Sequence, residues 1–390
     1  MKPGVLSVVI PAYNEEEAIK DTVTRCLEAR EKICREAGLT SVEIIVVDDG
    51  SKDKTREIVS KLADAKLIWH PHNQGYGRAL MTGFEAASGE YLGFLDGDGT
   101  CDPLAFSKLY LALDKNHADM AVGNRLHEGS KMPAIREVGN RFYAAVISWL
   151  SGVSVSDTAS GMRIFRKSLL PRLSPLPSGL HFTPAMTARA ACMGAKIVET
   201  PIPYAERQGQ SKLSVVGDGL RFLEVILGII FAYYPLRIFG PVGIFFLLTS
   251  LAIGAYPVYY YLSHQHLEEW MIYRLLTIMT LSVCGMTALA FGLIAQKVSD
   301  LSVRRPPSWL DESRVRYAAV ALGGVLALGG VVLNSRTIME YATTRHIQTP
   351  WVYVLTGGLC VILGTVFAAF GVTLGLVAHL PAALETGKKP

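Results

Sequence analysis

"YLGFLDGDGTC" runs from Tyr91 to Cys101. Its first five residues read as a buried strand, which stops at two carboxylates, Asp96 and Asp98, each followed by a glycine. Like charges this close in a turn repel each other unless a cation sits beside them. Hard oxygen donors suit Mg²⁺ or Mn²⁺, ions that commonly hold substrate phosphates as well. Gly97 and Gly99 keep the backbone bare enough for a bulky ligand to approach it. Asp102 is expected to cap a helix that starts at Pro103.

Working back from this stretch, Val5 to Ile10 is a continuous apolar run, as in a strand buried on both faces. "PAYNEEEAIKDTVTRCLEAR" follows as a helix, with Asn14 as its expected cap and Glu15, Glu16 and Glu17 in its first turn. "VEIIVV", "LIWH" and "YLGFLD" are further strands, separated by helical stretches at "DDGSKDKTREIVSKL" and "GYGRALMTGFEAA". This alternation predicts an α/β domain with a mostly parallel sheet. "PAYNE", "VDDGS" and "DGDGT" then each fall at the carboxyl end of a strand, the edge at which open α/β sheets bind ligands. Of Asp48 and Asp49, one is suited to accept from a sugar hydroxyl or a base N–H and the other to hold its loop. Neither GxGxxG nor GxxxxGK[ST] occurs, which leaves a nucleotide diphosphate held through a metal rather than by a glycine loop.

Composition divides the chain. Of 390 residues, 50% are apolar and 18% charged, more apolar than a soluble domain needs. The excess lies beyond about residue 215. A formal net charge of +4 gives no case for nucleic acid as a partner. The six cysteines have no metal-ligand spacing and suit a reducing compartment. "MKPG" leads straight into a strand, so no secretory signal is expected.

"PAYNEEE", "VVDDGSKDKT", "NQGYGRAL", "DGDG", "GNR", "SDTASGMRIFRK" and "PYAERQGQSKL" occur in that order. Over roughly residues 5–235 the chain resembles the family 2 glycosyltransferases of GT-A fold, and among them the polyprenyl-phosphate sugar synthases such as dolichyl-phosphate mannose synthase and undecaprenyl-phosphate glucosyltransferases. The resemblance implies a nucleoside pocket lined by Pro11, Tyr13, Glu15, Val47 and Asp49. It implies that Asp96, Gly97 and Asp98 serve the ribose, the diphosphate and a Mg²⁺ or Mn²⁺ ion, with Asp96 and Asp98 as metal ligands. Thr100 stands where dolichyl-phosphate mannose synthases carry a Gln near the metal. Arg125 and Arg207 match positions that bind sugar-nucleotide or acceptor phosphate.

Arg is the usual fork for phosphate oxygens. Arg136 and Arg141 are further candidates for the acceptor phosphate beside Arg125, and Lys212 for a lid over the diphosphate. Asp157, in "SDTASGMR", either orients Arg163 or the acceptor, or is structural. Many family 2 enzymes place a catalytic carboxylate in the segment matching "LHFTPAMTARA", yet Thr183, Pro184, Ala185 and Met186 offer none. A phosphate acceptor tolerates this, because a phosphomonoester with a second pKa of about 6 is already largely a dianion at neutral pH. The expected activity is transfer of a sugar, with inversion, from a nucleotide-diphosphate sugar (UDP- or GDP-linked) to a polyprenyl phosphate. The alternatives are a lipid hydroxyl or polysaccharide acceptor, although the QxxRW of processive synthases is absent, or a non-catalytic membrane scaffold.

The expected organisation is a catalytic domain over 1–212, an amphipathic interfacial helix over 213–235 with Tyr233 and Tyr234 at headgroup level, and four membrane helices at about 236–262, 271–296, 316–335 and 350–378. Lys297, Arg304, Arg305, Arg314 and Arg316 gather around the second-to-third connection, and Lys388 and Lys389 lie in the tail, whereas "SHQHLEEW" carries no Lys or Arg. The positive-inside rule then predicts a multi-pass membrane protein with its catalytic domain on the cytoplasmic face.

Overall fold

The computed structural model describes residues 4–126, 132–205, 215–303 and 308–386. The chain divides into two compact units, Met1–Ile230 and Phe231–Pro390. In the first unit, strands β1 (Val5–Ala12), β2 (Ser41–Asp48), β3 (Lys66–Trp69) and β4 (Tyr91–Leu95) alternate with helices α1 (Ile19–Ala37), α2 (Thr55–Ser60) and α3 (Tyr76–Glu85). The chain continues through α4 (Ala105–Lys115), β5 (Met120–Asn124), α5 (Ala134–Ser151), β6 (Met162–Arg166), α6 (Leu170–Leu173), α7 (Phe182–Cys192) and β7 (Ile197–Pro201) to α8 (Val215–Tyr233).

The seven strands form one sheet in the order β3-β2-β1-β4-β6-β5-β7. β6 runs antiparallel to both its neighbours, β4 and β5, while the other pairings are parallel. Period-2 alternation sends Leu6, Val8 and Ile10 into the core under α1 and α4, and Val9 into the opposite core under α3 and α7. That second core is built on Phe84, Phe94, Phe165 and Phe182, with Phe84 edge-on to Phe165 at 5.3 Å. Truncating one such buried ring to Ala costs about 3–5 kcal/mol. The chain winds outward from β1 to β3 and then returns to place β4 on the other side of β1, so a crevice opens between the carboxyl ends of β1 and β4.

Two expectations about helix starts need revision. Asn14 does not cap α1, which begins at Ile19 with Ala18 before it and no side-chain cap. Asn14 sits in the left-handed region (φ 49). Its N–H donates to Ser51 Oγ at 2.9 Å and its side-chain oxygen accepts from Lys52 N at 2.8 Å. The competing partner won: "NEE" is laced to the "SKDKT" loop instead of starting a helix. α4 begins at Ala105, two residues after Pro103, and Asp102 accepts from Leu104 N at 3.1 Å.

In the second unit α9 (Leu236–His264), α10 (Ile272–Val303), α11 (Ser313–Thr344) and α12 (Trp351–Thr386) are long apolar helices. Four stretches, Pro235–His264, Glu269–Val303, Ser313–Thr344 and Trp351–Ala378, are long and apolar enough to cross a membrane. α11 and α12 meet along small residues: a Cβ on Gly330 would strike Gly357 O, and one on Gly323 would lie 2.6 Å from Gly364 O. Close backbone approach of this kind drives helix pairing where lipid removes the hydrophobic gain. Leu251, Val325 and Leu328 point outward, as lipid-facing residues do. Lys297 is a buried residue of α10 rather than a connecting-loop residue. Arg304, Arg305, Lys388 and Lys389 lie outside the described residues.

Candidate active site

A cavity of about 570 Å³ opens at the carboxyl edge of the sheet. Pro11, Tyr13 and Glu15 line it from the end of β1, Asp49 from β2, and Asp96, Gly97 and Asp98 from β4. Glu15 N is pinned by Thr55 Oγ1 at 2.8 Å, which ties the β1 edge to the β2 edge. A smaller recess of about 390 Å³ adjoins it, sharing Tyr13 and Asn73, with Lys52 and with Arg56 stacked 3.8 Å over Trp69. Val47 belongs to neither. It is fully buried in the core under α3, because its position in β2 turns it inward.

Asp49 is a loop anchor as much as a lining residue. Its Oδ1 contacts His70 Nδ1 at 2.7 Å and accepts from Gln74 N at 2.9 Å, while Oδ2 accepts from Gly75 N at 2.8 Å. The backbone that delivers Tyr76 to the cavity is thereby fixed. Asp48 accepts from Ser51 N at 3.1 Å and is buried.

Asp96 and Asp98 are each held by a neighbouring hydroxyl. Tyr76 donates to Asp96 Oδ1 at 2.7 Å. Burial first, and the adjacent Asp96 second, push the Tyr76 hydroxyl well above its ordinary range, so it remains a donor. The other Asp96 oxygen packs against Gly161 at the start of β6, where a Cβ would overlap it. Thr100 gives both its N–H (3.2 Å) and its Oγ1–H (2.7 Å) to Asp98 Oδ1. Thr100 is therefore a brace for Asp98.

These carboxylates fit a divalent ion of the expected kind. No group of three or more His, Cys, Asp or Glu could hold a metal among the described residues. Two braced carboxylates supply part of an oxygen shell and leave the remainder to water and substrate phosphates, which is how Mg²⁺ is usually bound.

Arg125, just after β5, also lines the cavity and is buried with Asp157. Asp157 Oδ2 accepts from Arg125 Nε at 2.8 Å and from Arg125 N at 3.0 Å, and Oδ1 accepts from Arg125 Nη2 at 2.9 Å and Asn140 Nδ2 at 2.7 Å. Burial opposes both charges, but each partner outweighs it: Arg125 is pushed further up and Asp157 is held below the carboxylate range. Asp157 thus orients Arg125, not Arg163. The Arg163 guanidinium bonds to Thr158 O, Ser160 O and Thr187 Oγ1.

α5 also lends Arg136 to the cavity, but not Arg141, whose largely exposed side chain pairs with Glu137 one turn back at 2.8 Å. Arg207 and Lys212 lie outside the described residues. Sequence reasoning missed His181, Asp218 and Arg221, all on the cavity wall. α8 reaches it because Tyr143 on α5 donates to Gly219 O at 2.9 Å and stacks edge-on to Phe222 at 6.0 Å. Asp218 lies 3.6 Å from Arg221. His181 is shifted below its usual range by burial and then by Arg221.

The sequence pattern of glycosyl transferase family 2 matches residues 7–173. The chain is 32% identical over 218 residues to the dolichyl-phosphate hexose transferase of Haloferax volcanii, covering 55% of this chain and 89% of that protein. It is 34% identical over 229 residues to the polyprenol monophosphomannose synthase of Mycolicibacterium smegmatis, covering 55% and 82%. The chain belongs to glycosyl transferase family 2. A longer likeness, 27% identity over 362 residues, joins this glycosyltransferase to the low-salt glycan biosynthesis hexosyltransferase Agl6 of Haloferax volcanii, covering 88% of this chain and 82% of that one. It extends past the first compact unit into the apolar helices. The mostly parallel sheet with one reversed strand is the GT-A architecture the family leads one to expect. With four helices long and apolar enough to span a bilayer, this glycosyltransferase is an integral membrane protein.

Proposed function

We propose that this membrane glycosyltransferase moves a sugar, with inversion, from a UDP- or GDP-sugar to a polyprenyl phosphate, giving a polyprenyl monophosphate sugar. The observation that carries the reading is the charge layout of one cavity. Two braced carboxylates and a carboxylate-clamped arginine line the same cavity, and the α7 segment that holds a base in many relatives carries Thr183, Pro184, Ala185 and Met186. The names of the Haloferax and Mycolicibacterium relatives, a dolichyl-phosphate hexose transferase and a polyprenol monophosphomannose synthase, support this acceptor class.

In this reading the donor nucleoside lies along Pro11, Tyr13, Glu15 and Asp49, with its diphosphate at Asp96 and Asp98. Mg²⁺ or Mn²⁺ bound by Asp96 and Asp98 would neutralise charge on the departing diphosphate. Tyr76 and Thr100 hold those carboxylates in place. Asp157 takes Nε and Nη2 of Arg125 and leaves Nη1 for a phosphate oxygen of the acceptor, with Arg136 as a second cation on that wall. An acceptor phosphate oxygen forms the bond to the sugar C1. The C1–O bond to the diphosphate breaks, and its electron pair leaves with the nucleoside diphosphate. No proton has to be removed, so positioning and charge carry the catalysis. Arg207 and Lys212 remain candidates for the diphosphate and its lid by family resemblance, and Asp157 serves as a positioning residue. The positive-inside pattern supports a cytoplasmic catalytic unit.

A second reading, transfer to a lipid hydroxyl, draws on Asp218 and His181, because each puts a proton acceptor on the cavity wall. The test is transfer by the full chain in detergent with Mn²⁺ or Mg²⁺, undecaprenyl phosphate and each UDP- or GDP-sugar in turn. A lipid-linked monophosphate sugar from one donor is the expected product. No product from any donor, with nucleotide binding intact, rejects the acceptor assignment.

A further inference from the structure

Arg163 is a fully buried arginine that the mechanism above does not use. All three of its side-chain hydrogen bonds go to neutral oxygens: Thr158 O at 2.6 Å, Thr187 Oγ1 at 2.7 Å and Ser160 O at 3.2 Å. Among the described residues no carboxylate pairs with it, in contrast to Arg125, which is clamped by Asp157 at 2.8 Å. Burial lowers its proton affinity to about 10, with Asp157 pulling the other way, so the group stays charged at neutral pH. A buried charge with only neutral partners is expensive to keep. A Met or Leu would fill a core position at less cost, so the charge calls for a counterpart.

The fields of Asp157 and Glu199 favour the charge, and the register brings the end of β4 near it as well. Arg163 faces Phe94 across the β4–β6 pair, and its guanidinium carbon lies 6.0 Å from the Phe94 ring. Asp96 follows the last residue of β4 and Gly161 precedes the first of β6, beyond the Leu95–Met162 pair. Gly161 is where the Asp96 carboxylate packs. Tyr76, the donor to Asp96, lies within the field of Arg163. The fully buried guanidinium therefore lies behind the wall of the site, with Tyr76 in its field.

We propose that Arg163 is an electrostatic positioning residue, a fixed positive charge behind the wall of the site that favours the additional negative charge on the diphosphate once the sugar has left. This rests on the donor assignment above. When the C1–O bond breaks, the diphosphate goes from two negative charges as the sugar diester to three as the free nucleoside diphosphate. The acceptor dianion becomes a monoanionic diester, so the total charge is conserved. A preorganised charge in a low-dielectric site acts on that change without reorganising.

The test compares two ligands that differ by this one charge. Binding of UDP and UDP-glucose, and of GDP and GDP-mannose, is measured by calorimetry with Mn²⁺ on the full chain, for wild type and for Arg163→Met, Arg163→Gln and Arg163→Lys, with melting temperatures recorded alongside. A charge acting through the wall of the site is worth about tenfold in affinity per unit of ligand charge. A folded neutral variant should therefore lose the free diphosphate about tenfold more than it loses the sugar diphosphate. Arg163→Lys tests only whether a cation is needed for folding, because a buried ammonium gives up its proton far more readily than a guanidinium. Equal weakening of both ligands in a folded neutral variant overturns the proposal. So does a requirement for the buried cation itself, in which neither neutral variant folds while Arg163→Lys does, since that makes the charge structural. A wild type that binds none of the four nucleotides overturns the donor assignment instead, which separates the two claims.

Discussion

Asp157→Asn removes the negative charge from a fully buried side chain that accepts from Arg125 N, Nε and Nη2 and from Asn140 Nδ2. The amide keeps one acceptor oxygen, turns an NH₂ towards donors, and leaves Arg125 buried without its counter-ion. Breaking one partner of a buried ion pair costs about 3–5 kcal/mol. For a unit of this size each kcal/mol moves the midpoint by about 2–4 °C, so the catalytic unit should melt about 6–20 °C lower. The assay is thermal unfolding of the full chain in detergent, followed by intrinsic fluorescence, with Arg125→Met and the double variant closing the cycle. The pair should couple by about 2 kcal/mol or more. Burial resists ionisation of Asp157, but Arg125 holds its carboxyl below the ordinary 3.8. A folded-state value below the unfolded one means that this stability is present above about pH 3.9 and is lost as the pH falls through the lower folded value. The gap between wild type and Asp157→Asn should thus be widest above about pH 4 and close below it. A melting temperature within about 2 °C of wild type, or additive single variants, would refute the clamp.

Other consequences are as direct. Gly161→Ala puts a methyl into the Asp96 carboxylate, so donor kcat/KM should collapse while circular dichroism stays native; an active variant would show that Asp96 is free to move. Tyr76→Phe deletes one hydrogen bond to a charged group, worth about 1.5–3 kcal/mol, and should cost about 10–100-fold in donor kcat/KM. Arg136→Ala should raise the KM for lipid phosphate about 10–100-fold, the worth of a charged hydrogen bond. Arg141→Ala, which cuts only an exposed pair with Glu137, should leave it within about twofold.

The first four strands were legible because they are short apolar runs, one of them ended by Asp96 and Asp98, whereas β5, β6 and β7 and the reversal of β6 were not read. The four apolar helices were legible from length and apolar composition together. Contacts that join distant segments were not. Val47 looks like a lining residue by analogy, but period 2 within β2 turns it inward. Asn14 looks like a cap, but its side chain finds Lys52 N in a loop 38 residues away. Asp157 and Arg163 lie within one motif, yet the carboxylate faces Arg125, because β6 reverses direction and brings the end of β5 alongside. Asp218 and Arg221 reach the cavity only because Tyr143 seats α8 on α5, and no local signal in "DGLRF" carries that information.

A phosphate acceptor that needs no base can be checked by giving the wild-type chain its active donor with undecaprenyl phosphate and, separately, with undecaprenol. The expected result is transfer to the phosphate, none to the alcohol, and retention of the phosphate reaction in Asp218→Asn and His181→Gln. Transfer to undecaprenol that disappears in either variant would contradict it and assign that residue as a base for a hydroxyl acceptor.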